Sequence, residues 1–171
     1  MTARRFEAIR KIASSDGVES FDCGNSALNQ FLQRHALTAQ QSESAQTYVC
    51  CCDGVVAGYY SLVVGGVERS AAATRVAKGM PQHPVPVMIL ARLAVNLEHQ
   101  RIGLGKALLK DALKRTAQAA DIAGIRALLV HAKDEEARKW YLQWEFEPSP
   151  TDAFHLYLLM KDLKALLRGV S

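Results

Sequence analysis

Gln100-Arg101-Ile102-Gly103-Leu104-Gly105-Lys106 lies between an apolar run at residues 87–95 and a helical pattern at residues 106–120. The run predicts a buried strand, and the pattern predicts an amphipathic helix. Glycines at a helix entrance let the backbone approach a ligand and adopt positive φ, while free N–H groups and the helix dipole favour an anion. Arg101 and Lys106 add counter-charge. The stretch predicts a diphosphate-binding loop, and by spacing alone a plain strand-to-helix turn remains an alternative.

Two common phosphate-loop patterns do not fit this stretch. The P-loop requires G-x-x-x-x-G-K followed by Ser or Thr, which the chain lacks here. The dinucleotide fingerprint requires G-x-G-x-x-G in this position and an acidic residue after the next strand. The loop is therefore neither a Walker A loop nor a dinucleotide-binding fingerprint.

The hydrophobic patterns on both sides of the loop predict alternating strands and helices. Asn25 or Ser26 caps a helical stripe at residues 27–36, and Asp134 caps a helix that runs to about residue 144. Asp53 and Gly54 join strands 46–52 and 55–64 in a hairpin. Further strands are predicted at residues 6–12, 125–132 and 154–160, residues 67–80 are ambiguous, and a short basic helix closes the chain. The pattern predicts one α/β domain over residues 1–171, with a mixed central β-sheet flanked by helices.

The composition describes an ordinary globular chain: 171 residues, 49% hydrophobic, 22% charged, with net charge +4. No apolar run reaches the roughly 18 residues that a membrane helix needs. No apolar segment follows the basic N-terminal residues, so we expect a cytoplasmic protein without a secretory signal. The four cysteines, three of them consecutive at Cys50, Cys51 and Cys52, show no metal-ligand spacing. We expect reduced, mostly buried thiols and no metal.

Three blocks of residues resemble the GNAT acetyltransferase superfamily. Q-x-x-G-x-G at residues 100–105 resembles its acetyl-coenzyme A loop, residues 89–95 its central strand, and residues 137–146 its late helix-and-turn signature A-x-x-F-Y-x-x-x-G-F. A narrower resemblance is to acetyltransferase toxins of bacterial toxin–antitoxin modules. It lies first in a segment within residues 21–32, in Phe21-Asp22-Cys23-Gly24, Ala27-Leu28-Asn29 and Phe31-Leu32. It continues in Gly58-Tyr59-Tyr60-Ser61-Leu62, Ala91-Arg92-Leu93-Ala94-Val95 and Val130-His131-Ala132. The resemblance spans some 150 residues. It implies a GNAT fold whose two central parallel strands splay apart.

The resemblance also implies acetyl-CoA as the acetyl donor and a set of residues that bind it. The backbone of Leu93, Ala94 and Val95 would pair with the pantetheine arm, and an N–H near Leu93 would stabilise the oxyanion. The diphosphate would lie on the loop formed by Gln100, Arg101, Ile102, Gly103, Leu104, Gly105 and Lys106.

Tyr141 matches the family's catalytic tyrosine, which would donate a proton to the departing thiolate. Periodicity alone favours a packing role, because Ala137, Trp140, Tyr141 and Trp144 form one helical stripe. Two residues depart from the family signature. Trp140 stands where Phe is usual, and Glu145 stands where Gly is usual before Phe146. If that position requires positive φ, Glu145 is strained there or the turn differs.

The sequence contains no compelling general base among its histidines and carboxylates. The candidates considered are His83, His99, His131, Glu43 and Glu68. An α-amino group has a pKa of about 8, so about a tenth is neutral at pH 7, whereas a lysine amine would cost about 4.6 kcal/mol to deprotonate. An acceptor α-amine therefore fits best. The toxin resemblance implies the same acceptor, the α-amine of the amino acid on a charged tRNA, whose acetylation would block translation.

The resemblance implies two macromolecular partners, aminoacyl-tRNA and a ribbon–helix–helix antitoxin with a tail that folds on binding. RNA would contact basic residues: Arg92 first, then Arg75, Lys78 and Arg138. A homodimer is a further expectation. Two alternatives remain: a GNAT enzyme that acetylates a small amine, an antibiotic or a protein N-terminus, and a GNAT-like regulator without catalysis.

Overall fold

The computed structural model describes residues 5–169, which form seven strands and six α-helices. The strands are β1 Arg10–Lys11, β2 Gln46–Cys52, β3 Val55–Val67, β4 Val85–Val95, β5 Ala127–His131, β6 Glu147–Pro148 and β7 His155–Leu159. The helices are α1 Ser26–Gln30, α2 Ala36–Gln41, α3 Thr74–Ala77, α4 Leu104–Ala120, α5 Glu135–Leu142 and α6 Met160–Gly169. A π-helical turn, Phe31–His35, joins α1 to α2. None of the helices in residues 5–169 is long and apolar enough to cross a bilayer.

The strands form one sheet in the order β1-β2-β3-β4-β5-β7-β6. β4 and β5 pair in parallel only over Val87–Leu90, opposite Ala127–Val130. β7 runs antiparallel to both β5 and β6. The predicted mixed sheet flanked by helices is confirmed. Since the parallel pairing ends at Leu90, the following residues of β4 have no described partner strand on that side.

The chain divides into two compact units, and β3, β4 and α4 each contribute to both. The first unit comprises the residues up to Val63 together with Ala91–Ala112. Its core includes Phe21, Leu32, Val49 and Tyr59, each no more than 2% exposed. Gly58 is required by close packing: a Cβ there would lie 2.9 Å from Cδ1 of Leu108 and 3.2 Å from the Ala94 carbonyl oxygen. A larger residue at position 58 would therefore have to displace the Leu104 and Leu108 side chains of α4 and would crowd the Ala94 carbonyl of β4.

The second unit comprises Val64–Leu90 together with the residues from Leu113 onward. Its core includes Val76, Val87, Leu129 and Tyr157. The guanidinium of Arg126 donates hydrogen bonds to three carbonyls at the end of α3, those of Arg75, Val76 and Lys78. These bonds satisfy the terminal carbonyls of a helix that is too short to be stable by itself. They explain why a segment that is ambiguous in sequence is ordered here.

Local signals located most of the elements correctly. Asn25 caps α1 by accepting from the Leu28 N–H, and Asp134 caps α5 by accepting from the Ala137 N–H, as predicted. The hairpin at Asp53 and Gly54 is confirmed, with both residues at positive φ. All four cysteines are buried, and none of them forms a disulfide within residues 5–169. Burial, together with the nearby Asp16 carboxylate, raises the pKa of the Cys51 thiol to about 12, so this thiol is unreactive at neutral pH.

Several predicted boundaries were wrong. The predicted first strand, residues 6–12, contracts to β1 and an isolated bridge at Phe6. The predicted helix 27–36 is interrupted by the π-helical turn, α4 begins two residues earlier than predicted, and α5 ends at Leu142. β3 continues past the predicted end because Gly65 admits the Ile89 side chain, whose Cδ1 would lie 2.7 Å from a Cβ. The two-residue β6 was not predicted.

Candidate active site

The glycine loop in the first unit adopts a conformation that suits an anion. Arg101 has φ 65° and Gly103 has φ 89°, and a Cβ on Gly103 would meet nothing within 4 Å. At the start of α4, the Ala107 N–H donates a hydrogen bond to the Gly103 carbonyl. The N–H groups at a helix N-terminus point outward along the helix axis, a direction that suits an anion. Gly105 lies inside the helix with ordinary φ, so Gly103 alone needs glycine for its conformation.

Side chains of this loop divide between solvent and core. Ile102 is 60% exposed, whereas Leu104 is 8% exposed and its Cδ2 would lie 3.3 Å from a Cβ on Gly58. Leu104 therefore anchors the start of α4 in the core. Only its backbone N–H can serve a ligand.

Gln100 fixes the loop to the end of β4. Its side-chain amide donates to the Val95 carbonyl at 2.9 Å and to the Cys23 carbonyl at 3.5 Å. The Leu97 N–H donates to the Asp22 carbonyl at 2.8 Å nearby. The predicted cofactor residue Gln100 thus holds the loop in place through its side chain, a contact that its spacing in the motif does not reveal.

The last residues of β4 present backbone groups on one free edge. The Asn96 N–H donates to the Ala57 carbonyl of β3 at 2.8 Å. Because successive peptide groups of a strand point to opposite sides, the N–H groups of Leu93 and Val95 point away from β3. Ala94 faces β3, and the Val95 carbonyl already accepts from Gln100. Of the three predicted residues, Leu93 therefore offers both backbone groups to an added strand.

Tyr141 is buried in the second unit at 8% exposure. Its ring makes edge contacts with Trp140 and Phe146, at centroid distances of 5.0 and 5.5 Å. No residue in 5–169 forms a described hydrogen bond with its hydroxyl. Burial raises the pKa of Tyr141 well above its ordinary value, so the phenol stays protonated at neutral pH and its hydroxyl can donate a hydrogen bond.

Glu145 occupies the position where the family signature has glycine, and it has φ 70°. The Glu145 N–H donates to the Leu142 carbonyl at 3.3 Å as the chain turns back toward buried Phe146. The turn therefore keeps its left-handed geometry, and Glu145 is the strained residue that the sequence indicated.

The four basic residues proposed to contact RNA differ in their surroundings. The guanidinium of Arg92 lies 3.5 Å from the centroid of the Phe31 ring in the first unit. In the second unit, Arg75 pairs with Glu147 and Asp162, both at 2.6 Å. Arg138 donates to the Ala153 carbonyl and pairs with a neighbouring glutamate. Lys78 is exposed. The guanidinium groups of Arg75 and Arg138 thus already bind other residues of this chain.

The histidines and carboxylates considered as bases do not form a site. His83, Glu43 and Glu68 are exposed, and buried His99 packs edge-on against the Phe6 ring. His131 stacks on His155 with ring centroids 4.0 Å apart. Desolvation of the stacked face and the neighbouring imidazole lower the pKa of His131. Among residues 5–169, no three His, Cys, Asp or Glu side chains are arranged to hold a metal ion.

Comparison with known proteins identifies the class. The model of the acetyltransferase (GNAT) family matches residues 6–146, and the chain belongs to this family. It is 46% identical over 162 residues to a tRNA-acetylating toxin of Mycobacterium tuberculosis strain H37Rv, which covers 95% of this chain and 97% of that protein.

Two solved structures have the same fold over nearly their whole length. AtaT complexed with acetyl-methionyl-tRNAfMet superposes with a TM-score of 0.87 and 27% identity, covering 95% of this chain and 99% of that one. A tyrosine-to-phenylalanine variant of AtaT, bound to the C-terminus of the antitoxin AtaR and to acetyl-CoA, gives a TM-score of 0.80 and 26% identity, covering 93% and 96%.

Proposed function

We propose that this GNAT enzyme transfers the acetyl group of acetyl-CoA to the α-amino group of the amino acid on aminoacyl-tRNA and so blocks translation. The observation that carries the proposal is the loop after β4, with Gly103 in the left-handed region directly before the N-terminus of α4. This loop fits the diphosphate of acetyl-CoA. The 46% identity to a tRNA-acetylating toxin over almost the whole chain points to charged tRNA as the acceptor.

The donor would bind along one path in the first unit. The N–H groups of the turn from Arg101 to Gly105 would hold the diphosphate, and Arg101 and Lys106 would add positive charge. The free edge of β4 at Leu93 and Val95 would pair with the amide groups of the pantetheine arm as an added strand. Exposed Ile102 would pack on the arm.

The transfer needs one nucleophile and one acid. The neutral α-amine attacks the thioester carbonyl, forming the C–N bond, and the Leu93 N–H would stabilise the oxyanion. Collapse of the intermediate breaks the C–S bond. We assign to Tyr141 the donation of a proton to the departing thiolate. Water takes the proton from the amine and returns one to the Tyr141 oxygen, which restores the enzyme. Because burial raises the pKa of Tyr141, the phenol is protonated at neutral pH and has a proton to donate when the thiolate forms.

The partners follow from the acceptor and from the relatives. Because charged tRNA is used in the cytoplasm, we propose that the enzyme acts there, with Arg92 as the first candidate among the basic residues for contact with RNA. We propose that an antitoxin neutralises the enzyme, because the neighbour AtaT is bound to the C-terminus of the antitoxin AtaR. The toxin resemblance implies that this antitoxin is of the ribbon–helix–helix type. We also propose a single domain, since β3, β4 and α4 each contribute residues to both compact units. A homodimer is proposed on the toxin resemblance alone.

Labelled acetyl-CoA tests the proposal directly. The full chain is incubated with bulk charged tRNA, the same tRNA after deacylation, a set of small polyamines, and peptides with free N-termini. We expect label in the charged tRNA and none in the deacylated tRNA, because the acceptor is the aminoacyl amine. Label confined to polyamines or peptides would instead identify a metabolic or protein N-acetyltransferase. No label in any acceptor, with no heat on titration of acetyl-CoA, would identify a regulator without catalysis.

A further inference from the structure

Arg92 and Phe31 form a cation–π pair in the first unit. The guanidinium carbon of Arg92 lies 3.5 Å from the centroid of the Phe31 ring. No described residue in 5–169 accepts a hydrogen bond from this guanidinium, and no described carboxylate pairs with it. A cation–π contact fixes the plane of an arginine while leaving its N–H edges available. The pair therefore presents a pre-oriented set of donors without an acceptor.

The ring under Arg92 is itself held rigidly. Phe31 is 8% exposed and stacks on Tyr59 at 6.2 Å, and Tyr59 contacts Phe21 edge-on at 5.6 Å. The Tyr59 hydroxyl donates to the Leu28 carbonyl at 2.7 Å, which fixes α1. The residues of the toxin-like segment 21–32 thus build a platform beneath one arginine.

A planar guanidinium with free edges matches the oxygens of a phosphate, which it can bind through two parallel hydrogen bonds. Arg10 differs from Arg92 in this respect. It makes that bidentate arrangement with Asp16, at 2.8 and 2.7 Å, and is therefore satisfied within the protein. Arg92 has the same donors and no described protein acceptor.

We propose that Arg92 binds one backbone phosphate of the acceptor RNA, and that Phe31 is the positioning residue that holds its guanidinium for this contact. This inference rests on the proposed function and assigns a role to the segment 21–32 that the transfer step leaves unexplained. A phosphate of acetyl-CoA has the same chemistry, so the test must separate the two sources.

The salt dependence of tRNA binding reports the number of phosphates that the protein contacts. The Kd for tRNA is measured between low and moderate KCl for the unmodified chain, Arg92→Ala, Arg92→Lys and Phe31→Leu, and the Kd for acetyl-CoA is measured in parallel. Loss of one phosphate contact lowers the slope of log K against log salt by about 0.7 to 0.9. Lys164→Ala serves as the control for net charge, because Lys164 pairs with Asp121 at 3.8 Å and lies outside the proposed site.

We expect Arg92→Ala to lower the slope by about one contact and to weaken tRNA binding about tenfold. Arg92→Lys should keep the slope and lose part of the affinity, because the charge remains without the planar edge. Phe31→Leu should also keep the slope and weaken tRNA binding several-fold. The Kd for acetyl-CoA should not change in any of them.

An unchanged tRNA slope in Arg92→Ala would overturn the inference, and so would an equal loss in Lys164→Ala. A change confined to acetyl-CoA would place the phosphate on the donor instead and would equally overturn it. These failures differ from failure of the proposed function, in which the unmodified chain does not acetylate charged tRNA.

Discussion

The side-chain amide of Gln100 donates to the carbonyl of Val95 at 2.9 Å and joins the glycine loop to the end of β4. Removing one such hydrogen bond costs about 0.5–1.5 kcal/mol, so we expect Gln100→Ala to raise the KM for acetyl-CoA by roughly three- to tenfold. The kcat should stay nearly constant because the reacting groups are untouched. Steady-state kinetics measures both constants. Gln118→Ala on the exposed face of α4 is the control, and an equal rise in its KM would contradict the role of Gln100.

Gly103 has φ 89°, and a Cβ at this position would meet nothing within 4 Å, so an added methyl group would cause backbone strain without a steric clash. We expect Gly103→Ala to lose about 1–2 kcal/mol of stability and to weaken acetyl-CoA binding, because the loop must change its φ to relieve the strain. Thermal unfolding and calorimetric titration measure the two effects.

Gly54 provides a matched control for this variant. It has φ 81°, its Cβ would also meet nothing within 4 Å, and it lies in the β2–β3 hairpin turn. Gly54→Ala should lose similar stability and keep the Kd for acetyl-CoA. Equal effects of the two variants on this Kd would show that the loop geometry is unimportant for the donor.

Glu145 is a non-glycine residue at φ 70° in the turn after α5. Glycine at this position removes the left-handed strain of the folded chain, which stabilises it by about 1–2 kcal/mol. Glycine also gives the unfolded chain more conformational entropy, which destabilises the folded chain by about 0.5–1 kcal/mol. We expect Glu145→Gly to raise the free energy of unfolding by about 0.5–1 kcal/mol, measured by urea denaturation. Gln143→Gly, at an ordinary φ of −67°, should lower it. A destabilised Glu145→Gly would mean that Glu145 makes a favourable contact that outweighs its strain.

Tyr141 has a buried phenol with a raised pKa and no described partner for its hydroxyl. We expect Tyr141→Phe to lower kcat by about 10²–10⁴, because the thiolate loses its acid, while the Kd for acetyl-CoA stays nearly the same. The rate of the unmodified chain should rise with pH as the acceptor amine deprotonates, and should not fall again below about pH 10.

Tyr157→Phe is the control for loss of a buried hydroxyl, since Tyr157 is 2% exposed in the second unit. Its kcat should match that of the unmodified chain. A Tyr141→Phe rate within threefold of the unmodified rate would remove Tyr141 from the mechanism.

His131 stacks on His155, and its pKa is lowered from the ordinary value of 6.5. The unfolded chain therefore binds more protons than the folded chain near pH 6, so this contribution to stability falls as the pH drops through 6.5. The loss of stability stops once the pH is below the pKa of His131 in the folded chain. We expect His131→Gln to lose less stability than the unmodified chain between pH 7.5 and pH 5.5, measured by urea denaturation. His83→Gln, in an exposed loop, should behave like the unmodified chain; identical pH profiles for all three would contradict the coupling.

Local chemistry made much of the fold predictable. Asp53 and Gly54 supply the two left-handed residues that a tight hairpin needs, and Asn25 and Asp134 supply side-chain acceptors at helix starts. These turns and caps depend on residues within four positions of one another, so their location can be predicted from a short stretch of sequence. The glycine loop is predictable for the same reason, because its strand, turn and helix are consecutive.

Contacts between distant residues were not predictable from the pattern. Phe31 and Arg92 are far apart in the chain, and nothing near either residue indicates that they stack. In the sequence, Gly65 likewise indicated the end of a strand. In the structure, the absence of a Cβ at Gly65 leaves room for the Ile89 side chain of β4. Arg75 looked like a free cation until the fold placed two carboxylates beside it. Each of these outcomes depends on which strands become neighbours.

The most direct test of the central claim is the mass of the aminoacyl-adenosine released from tRNA by nuclease after reaction with acetyl-CoA. We expect this fragment to gain the mass of one acetyl group and to yield the N-acetyl amino acid on mild alkaline hydrolysis. The gain should be lost when Tyr141→Phe replaces the unmodified chain at the same concentration. An aminoacyl-adenosine of unchanged mass, with the acetyl group on another nucleoside or on protein, would contradict acetylation of the α-amine.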